Sequence, residues 1–407
     1  MNTRAVNFPL MDSIRAIALL SVIAAHTSFF IALNANHALE HVRFDFGVRV
    51  FFVISAFLLY RPFVRARLQG DVAPSVKAFA WRRALRILPA YWVALTAITI
   101  WLALPAVFTG AGVPTYYGLI QIYRPHAISG GLPQAWSLSV EIAFYALLPL
   151  FAAAMRRLRA RDARARLRQE LLGAALLFLV SGAFKVVIAA LGTVHVRHLA
   201  FLQSNPLVFL DDFALGMGLA SMSAFYESRE DLPRALRVLD RWPSAAWAIG
   251  LAALVVVSTQ LGLTGQLGEP VGGGQYVERH YLFTVVALGL VLPAMFGDPA
   301  RGLVRRLLAN RVLLYLGMIS YAVYLYHFAV LIQLQNWDLA SLARSTASWI
   351  WYPAAIGGGV LLASISYYVV ERPFLNLKRL VPAFPEPAPG EALVEPAPIL
   401  PARPGAR

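Results

Sequence analysis

Runs of roughly 20 predominantly apolar residues return along the whole chain, each long enough to cross a hydrocarbon core of about 30 Å as a helix. The pattern predicts helices over 10–33, 46–61, 85–108, 136–155, 171–191, 206–226, 244–262, 281–296, 313–335 and 350–371. A partial helix over 114–123 is expected on the outer side. Lipid offers no hydrogen bonds to a bare backbone, so runs of this length are helical. The short alternating segments of a transmembrane barrel do not dominate. The expected fold is therefore all-α, a polytopic membrane bundle of about ten transmembrane helices. The first run carries Arg15 and His26 and lacks a clear small-residue cleavage site, so it reads as a retained helix rather than a signal peptide. After residue 380 the apolar runs stop. Residues 381–407 are rich in Pro, Ala and Glu and are expected to form a disordered tail beyond a transmembrane domain of residues 1–380.

Composition agrees with this pattern: 59% of the 407 residues are apolar and only 14% charged, against about 25% in an average soluble domain. The net charge of +15 is explained by topology rather than by nucleic acid, because the basic residues sit between the apolar runs. With the N-terminus and every second loop on the cytoplasmic side, that side holds 28 of the 36 Lys and Arg. They are Arg4, seven from Arg61 to Arg86, seven from Arg156 to Arg168, four from Arg229 to Arg241, four from Arg301 to Arg311 and five from Arg372 to Arg407. The other side holds five, Arg43, Arg124, Arg197, Arg279 and Arg344, while Arg15, Arg49 and Lys185 fall within helices. This bias predicts both termini in the cytoplasm of a multi-pass membrane protein. The chain has no cysteine, which removes disulfides, a thiol nucleophile and thiolate metal sites.

Ionisable groups at membrane depth are expensive and mark candidate sites. Arg15 and His26 are 11 residues apart, which puts them on one helix face about 16 Å apart along the axis, with Asp12 on the same side. A neutral imidazole suits general-base chemistry; the plainer reading is that Arg15 snorkels and His26 caps a structural network. Metal binding has little support, because the closely spaced histidine pairs, His37 with His41 and His195 with His198, fall between the expected helices and not on one of them. Ser137, Glu141 and Tyr145 share a face next to Trp136, and Ser320, Tyr324 and His327 form a second polar stripe. The Glu141 carboxylate should pair with a cation or hydrogen-bond to a hydroxyl, and the second stripe could line a cavity or hold two helices together. Arg82, Arg83 and Arg86 are either phosphate ligands or ordinary cytoplasmic charge. Asp211, Asp212 and Lys185 are further buried charges whose partners the sequence does not assign, and Glu371-Arg372-Pro373 reads as a structural terminus.

Taken in order, several stretches resemble the acyltransferase 3 family of membrane O-acyltransferases. They are Met11-Asp12-Ser13-Ile14-Arg15 running to His26 (Arg-x10-His), Gly47 to Phe57, Arg82-Arg83-Ala84-Leu85-Arg86-Ile87-Leu88-Pro89, Trp136 to Glu141 with Phe144-Tyr145, Leu316 to Tyr321, and Glu371-Arg372-Pro373. The resemblance spans residues 11 to about 375 and implies transfer of a short acyl group, often acetyl, from acyl-coenzyme A to a hydroxyl. Carried over by position, it implies His26 as catalytic base with Arg15 as motif partner and Glu141 as a group orienting His26 or an acceptor hydroxyl. It further implies Arg82, Arg83 and Arg86 as donor-phosphate contacts. Asp12, Arg49, Trp136, Ser137, Tyr145, Tyr324 and His327 are candidate substrate contacts. The oxyanion would need a donor such as Arg15 or a tyrosine.

Two positions depart from the family pattern: Ala56 stands where Gly is common, and Arg49 where an acidic residue is frequent. The first is expected to alter packing only, the second acceptor choice. The resemblance is to the stand-alone branch without a fused hydrolase-like domain, whose acceptors include cell-envelope glycans and macrolide sugars. The expected partners are the bilayer, acyl-CoA (acetyl-CoA foremost) and a carbohydrate or glycosylated small molecule, with no nucleic acid and no resident metal or cofactor. A transporter would use the same buried charges to line a solute path, but would favour paired, broken helices. A non-catalytic membrane partner would use them for assembly. Topology is tested by reporter fusions after residue 380 and within 265–280, expected on opposite sides of the membrane; the same side for both breaks the scheme.

Overall fold

A computed structural model describes residues 8–34, 43–124, 126–191, 201–227, 229, 231–261, 272–337 and 350–382. Residues 383–407, nearly all of the expected tail, lie outside them. The described residues are helical, with no strand among them. The main helices are α1 (Leu10–Asn34), α2 (Gly47–Gln69), α3 (Val76–Trp101), the short α4 (Gly112–Tyr117), α5 (Trp136–Arg157), α6 (Ala163–Ala190) and α7 (Leu210–Tyr226). They continue with α8 (Arg234–Arg241), α9 (Pro243–Thr259), α10 (Gly273–Met295), α11 (Leu303–Leu308), α12 (Arg311–Met318), α13 (Ser320–Asn336) and α14 (Trp351–Ser366). Eight spans are long and apolar enough to cross a membrane, and there are ten if each of two bent pairs counts as one. These pairs are α8–α9, bent by 90°, and α12–α13, bent by 77°. The expected 313–335 helix is thus broken at Ile319, and the partial outer helix resolves into α4 and a 3-10 turn at Gln121–Tyr123.

Four helices are longer than the apolar pattern predicts, for one reason. α2 runs on past residue 61 to Gln69, α3 starts at Val76, α6 at Ala163 and α10 at Gly273. Each added piece is rich in charged or polar side chains that hydropathy assigns to loops, and in α2 those side chains are paired by neighbouring helices. Arg65 meets Glu227 at 3.3 Å and Arg67 meets Glu170 at 2.8 Å. Ser75 and Asp162 cap the new helix starts, accepting from the backbone N–H of Ala78 and Ala165, so the exposed first-turn donors are satisfied. α3 stops at Trp101, seven residues short of the expected end, just before Ala103 turns to φ 51° and Pro105 opens a 3-10 turn.

The bundle has two apolar cores. One gathers α2, α5, α7 and α10 around the first turns of α1; the other gathers α3, α13 and α14 around the rest of α1. Val48, Phe51 and Tyr145 pack against both, so a seam runs between the cores beside α1. Two glycines set how closely the helices approach. A Cβ on Gly216 of α7 would strike the Val53 carbonyl and the Ala56 methyl; the methyl that replaces the family's usual glycine at position 56 therefore fits against a residue with no side chain. A Cβ on Gly317 of α12 would fall on the backbone of Asp12, which locks α1 against α12 at the Asp12–Arg15 turn. Gly317→Ala is expected to lower stability by about 1–3 kcal/mol through overpacking, read as a lower melting temperature in detergent. An unchanged melt would show that this approach is not tight.

Candidate active site

Two cavities abut along the seam. The larger, about 450 Å³, is lined by His26 from α1, Arg49 from α2, Trp136 from α5, Tyr276, Arg279 and His280 from α10, and Tyr324 from α13, among others. The smaller, about 110 Å³, is lined by Arg15, Ser55, Arg83, Arg86, Ser137, Glu141, Tyr145 and Tyr321, among others. Val48 and Tyr324 line both. α1 therefore presents Arg15 to one cavity and His26 to the other. Their common helix face is as expected, but the two do not touch.

The partner of His26 is His327. His26 Nδ1 lies 2.8 Å from His327 Nε2, with the rings nearly parallel at 20°. On its far side His327 Nδ1 lies 2.9 Å from the Tyr324 carbonyl and 3.2 Å from the Val323 carbonyl. A carbonyl only accepts, so His327 Nδ1 carries the hydrogen and, in the neutral ring, Nε2 is an acceptor. His26 Nδ1 must then donate to it, and His26 Nε2 is left unprotonated. His327 is wholly buried, so its orientation is fixed by packing as well as by the carbonyls. The arrangement parallels the orienting arm of a catalytic triad, with a neutral imidazole where the carboxylate would stand.

Glu141 does not orient His26. It accepts a hydrogen bond from Ser55 across the smaller cavity, and His327 occupies the orienting position because α13 passes directly beside the middle of α1. Tyr324 donates to the Gln134 carbonyl, and Ser137 bonds its hydroxyl at 2.8 Å. Arg15 is held by Asp12 at 2.7 Å; Asp12 itself is absent from the lining of both cavities and acts on Arg15 alone. Arg83 and Arg86 reach the smaller cavity while Arg82, one turn before Arg86 on α3, does not. Arg86 is paired with the buried Glu371 at 3.2 Å. The Glu371-Arg372-Pro373 motif, expected to be only a terminus, thus supplies a counter-charge at the site.

The unassigned buried charges form one cluster. Lys185 pairs with Asp211, and Arg49 with Asp212 at 3.2 Å. His280 bridges them: Arg49 Nη2 donates to its Nδ1 at 2.7 Å, and its Nε2 lies 3.3 Å from Asp211. Thr284 donates to Asp212 at 3.3 Å. The ligand atoms of Asp211, Asp212 and His280 lie within 4.8 Å of one another, a spacing that suits a cation, yet Lys185 and Arg49 already neutralise both carboxylates. Sequence reading missed Tyr276, Arg279 and His280 because it began the helix at 281. Their i, i+3, i+4 spacing is the signal that marks them as one face.

The bundle thus presents an imidazole to one cavity and guanidinium groups to a second. Residues 9–368 match the acyltransferase 3 family, described as an acyltransferase domain; the chain belongs to that family and is an acyl-transferring enzyme of a bacterial membrane. Among its relatives, Nodulation protein 10 of Rhizobium leguminosarum bv. viciae is 24% identical over 82% of each chain. Acyltransferase MdmB of Streptomyces mycarofaciens is 27% identical over 96% of this chain and 98% of its own. Peptidoglycan O-acetyltransferase OatA of Listeria monocytogenes is 22% identical over 79% of this chain and 49% of its own. No solved structure matches. Family membership sets aside the transporter and non-catalytic readings.

The buried pair Lys185–Asp211 yields a test of the cluster. Lys185→Met leaves an uncompensated carboxylate and is expected to cost about 3–5 kcal/mol, whereas Lys185→Met with Asp211→Leu should recover most of it. Melting temperatures in detergent check this; a single variant as stable as the parent would mean the pair is not buried.

Proposed function

We propose that the protein moves a short acyl group, acetyl foremost, from acyl-coenzyme A to a hydroxyl of a sugar-containing acceptor such as a cell-envelope glycan, with His26 as general base. The observation that carries this reading is the fixed His26–His327–carbonyl relay beside the 450 Å³ cavity. A hydroxyl is a poor nucleophile until its proton is taken. The acceptor oxygen attacks the thioester carbonyl carbon as His26 Nε2 accepts that proton. Collapse of the tetrahedral adduct breaks the C–S bond, and the thiolate recovers the proton from His26. General-base help of this kind is typically worth about 100- to 10,000-fold.

The smaller cavity takes the acyl end of the donor. At about 110 Å³ it holds little more than an acetyl thioester, given a share of about 30 Å³ per water molecule. The nucleotide phosphates remain outside, in the field of Arg83 and Arg86. Charge bias puts this end of α3 in the cytoplasm, where acyl-CoA is made, so donor and acceptor reach His26 from opposite ends of the seam. Tyr324 and Val48, which line both cavities, stand where the two substrates meet, and Arg15 supplies the oxyanion donor. Trp136 and Arg49 contact the acceptor from the walls of the larger cavity, whereas Ser137 and Tyr145 face the acyl end. The larger cavity is also of small-molecule size, which supports a second acceptor class, the sugar of a macrolide or similar metabolite.

His26→Gln, which keeps polarity and similar size, is expected to lower acyl transfer from acetyl-CoA by at least about 100-fold with a normal melting profile. His327→Gln keeps an acceptor for His26 Nδ1–H and should retain more activity than His327→Leu. Near-parental turnover in folded His26→Gln would place the base elsewhere. Arg83→Ala with Arg86→Ala should raise the apparent KM for acetyl-CoA, and an unchanged KM would remove these residues from the donor site.

A further inference from the structure

The bent pair α8–α9 leaves a short basic helix at the rim of the bundle. α9 holds 17 residues without a charge, about 25 Å of helix, and so nearly crosses a hydrocarbon core of about 30 Å by itself. α8 meets it at 90°. With α9 across the membrane, α8 lies in the membrane plane, at the level where α9 enters. The inner side of α8 is pinned to the bundle. Asp240, its one acid, accepts from Arg301 at 2.5 Å, from Arg305 at 3.2 Å and from the backbone N–H of Asp298 at 2.9 Å, and Leu236 is buried. The other side carries Arg234, Arg237 and Arg241, at i, i+3 and i+7 on one face. All three are exposed, and among the described residues no carboxylate pairs with any of them. Val238 lies between them, 50% exposed. Trp242 follows, 61% exposed, with the Arg241 guanidinium 5.8 Å from its ring centre.

We propose that α8 lies in the headgroup layer and that Arg234, Arg237 and Arg241 bind the phosphates of acidic phospholipids there. Three guanidinium groups without a counter-charge call for an anion, and phosphate suits their paired donors. The apolar neighbours select a lipid over a soluble acidic partner. Val238 and Trp242 sit among the arginines, and a tryptophan beside basic residues on an in-plane helix belongs to the boundary between headgroups and acyl chains. The inward turn of Asp240 serves the same end, because it removes the one negative charge of α8 from the lipid side. This surface is independent of which donor and acceptor the enzyme uses.

Two measurements on the full-length protein test this. The chain has no cysteine, so Val238→Cys gives a single site for a nitroxide label in nanodiscs containing phosphatidylglycerol. Its relaxation by dissolved oxygen and by a water-soluble nickel chelate is expected to place it at headgroup depth. A label in bulk water overturns the proposal and would turn this face toward a soluble partner. Native mass spectrometry with equimolar phosphatidylglycerol and phosphatidylcholine then reads the lipid preference. Each arginine is expected to contribute about fivefold, so replacing Arg234, Arg237 and Arg241 together by Gln should cut the preference for phosphatidylglycerol by about 100-fold. If the triple variant fails to fold, the three single variants carry the test at about fivefold each. An unchanged preference overturns the proposal. So does an equal loss when the exposed Arg156, Arg157 and Arg159 are replaced by Gln instead, which would assign the effect to basic charge in general rather than to α8.

Discussion

A charge at membrane depth has no water to lean on, and in this bundle the charges are matched to one another across helices. Lys185 of α6, Asp211 and Asp212 of α7, Arg49 of α2 and His280 of α10 form one connected cluster with two cations and two anions. Four helices are thereby held at a common depth and in a fixed rotation, because sliding or turning any of them would separate a pair in low dielectric. The cluster also forms a wall of the larger cavity. Its packing and its exposure of Arg49 and His280 to a substrate are two sides of the same constraint.

Against that wall stands the polar edge of α1. Its first turns are fixed by Asp12 on Arg15 and by the close passage of Gly317, and its middle by the hydrogen bond from His26 to His327. The break at Ile319 makes the second contact possible. By bending 77° there, the chain sends α12 across the start of α1 and α13 alongside its middle, so one segment supports both Arg15 and His26. Position is thus separated from chemistry: Asp12, Gly317 and His327 hold, while Arg15 and His26 face the cavities. The two cavities lie at the seam where the two apolar cores meet beside α1.

The limits of sequence reading all have one source. Hydropathy locates what lipid requires and is blind to polar residues that the protein itself satisfies. It stopped α2 at Arg61 and began α10 at Tyr281, because the polar residues beyond those points look like loop. Arg67 is nevertheless buried against Glu170, and His280 against Asp211 and Arg49. The same blindness left the partners of Lys185, Asp211 and Asp212 open, hid Glu371 as the counter-charge of Arg86, and put Arg82 with Arg83 and Arg86 although only the latter two reach a cavity.

The sequence by itself determined the class of the molecule: a chain of long apolar helices, basic on alternate sides, with an Arg-x10-His helix and ordered motifs that mark the acyltransferase 3 family. These are local properties, set by hydrogen-bond satisfaction in lipid and by helical periodicity, and they need no knowledge of neighbours. Only the tertiary structure decided which polar groups meet. His26 and His327 lie 301 residues apart and Arg86 and Glu371 lie 285 apart; no periodicity relates residues on different helices. The tautomer of His26 and the split of the arginines between two cavities depend on helix rotation and crossing, which packing fixes and composition does not encode.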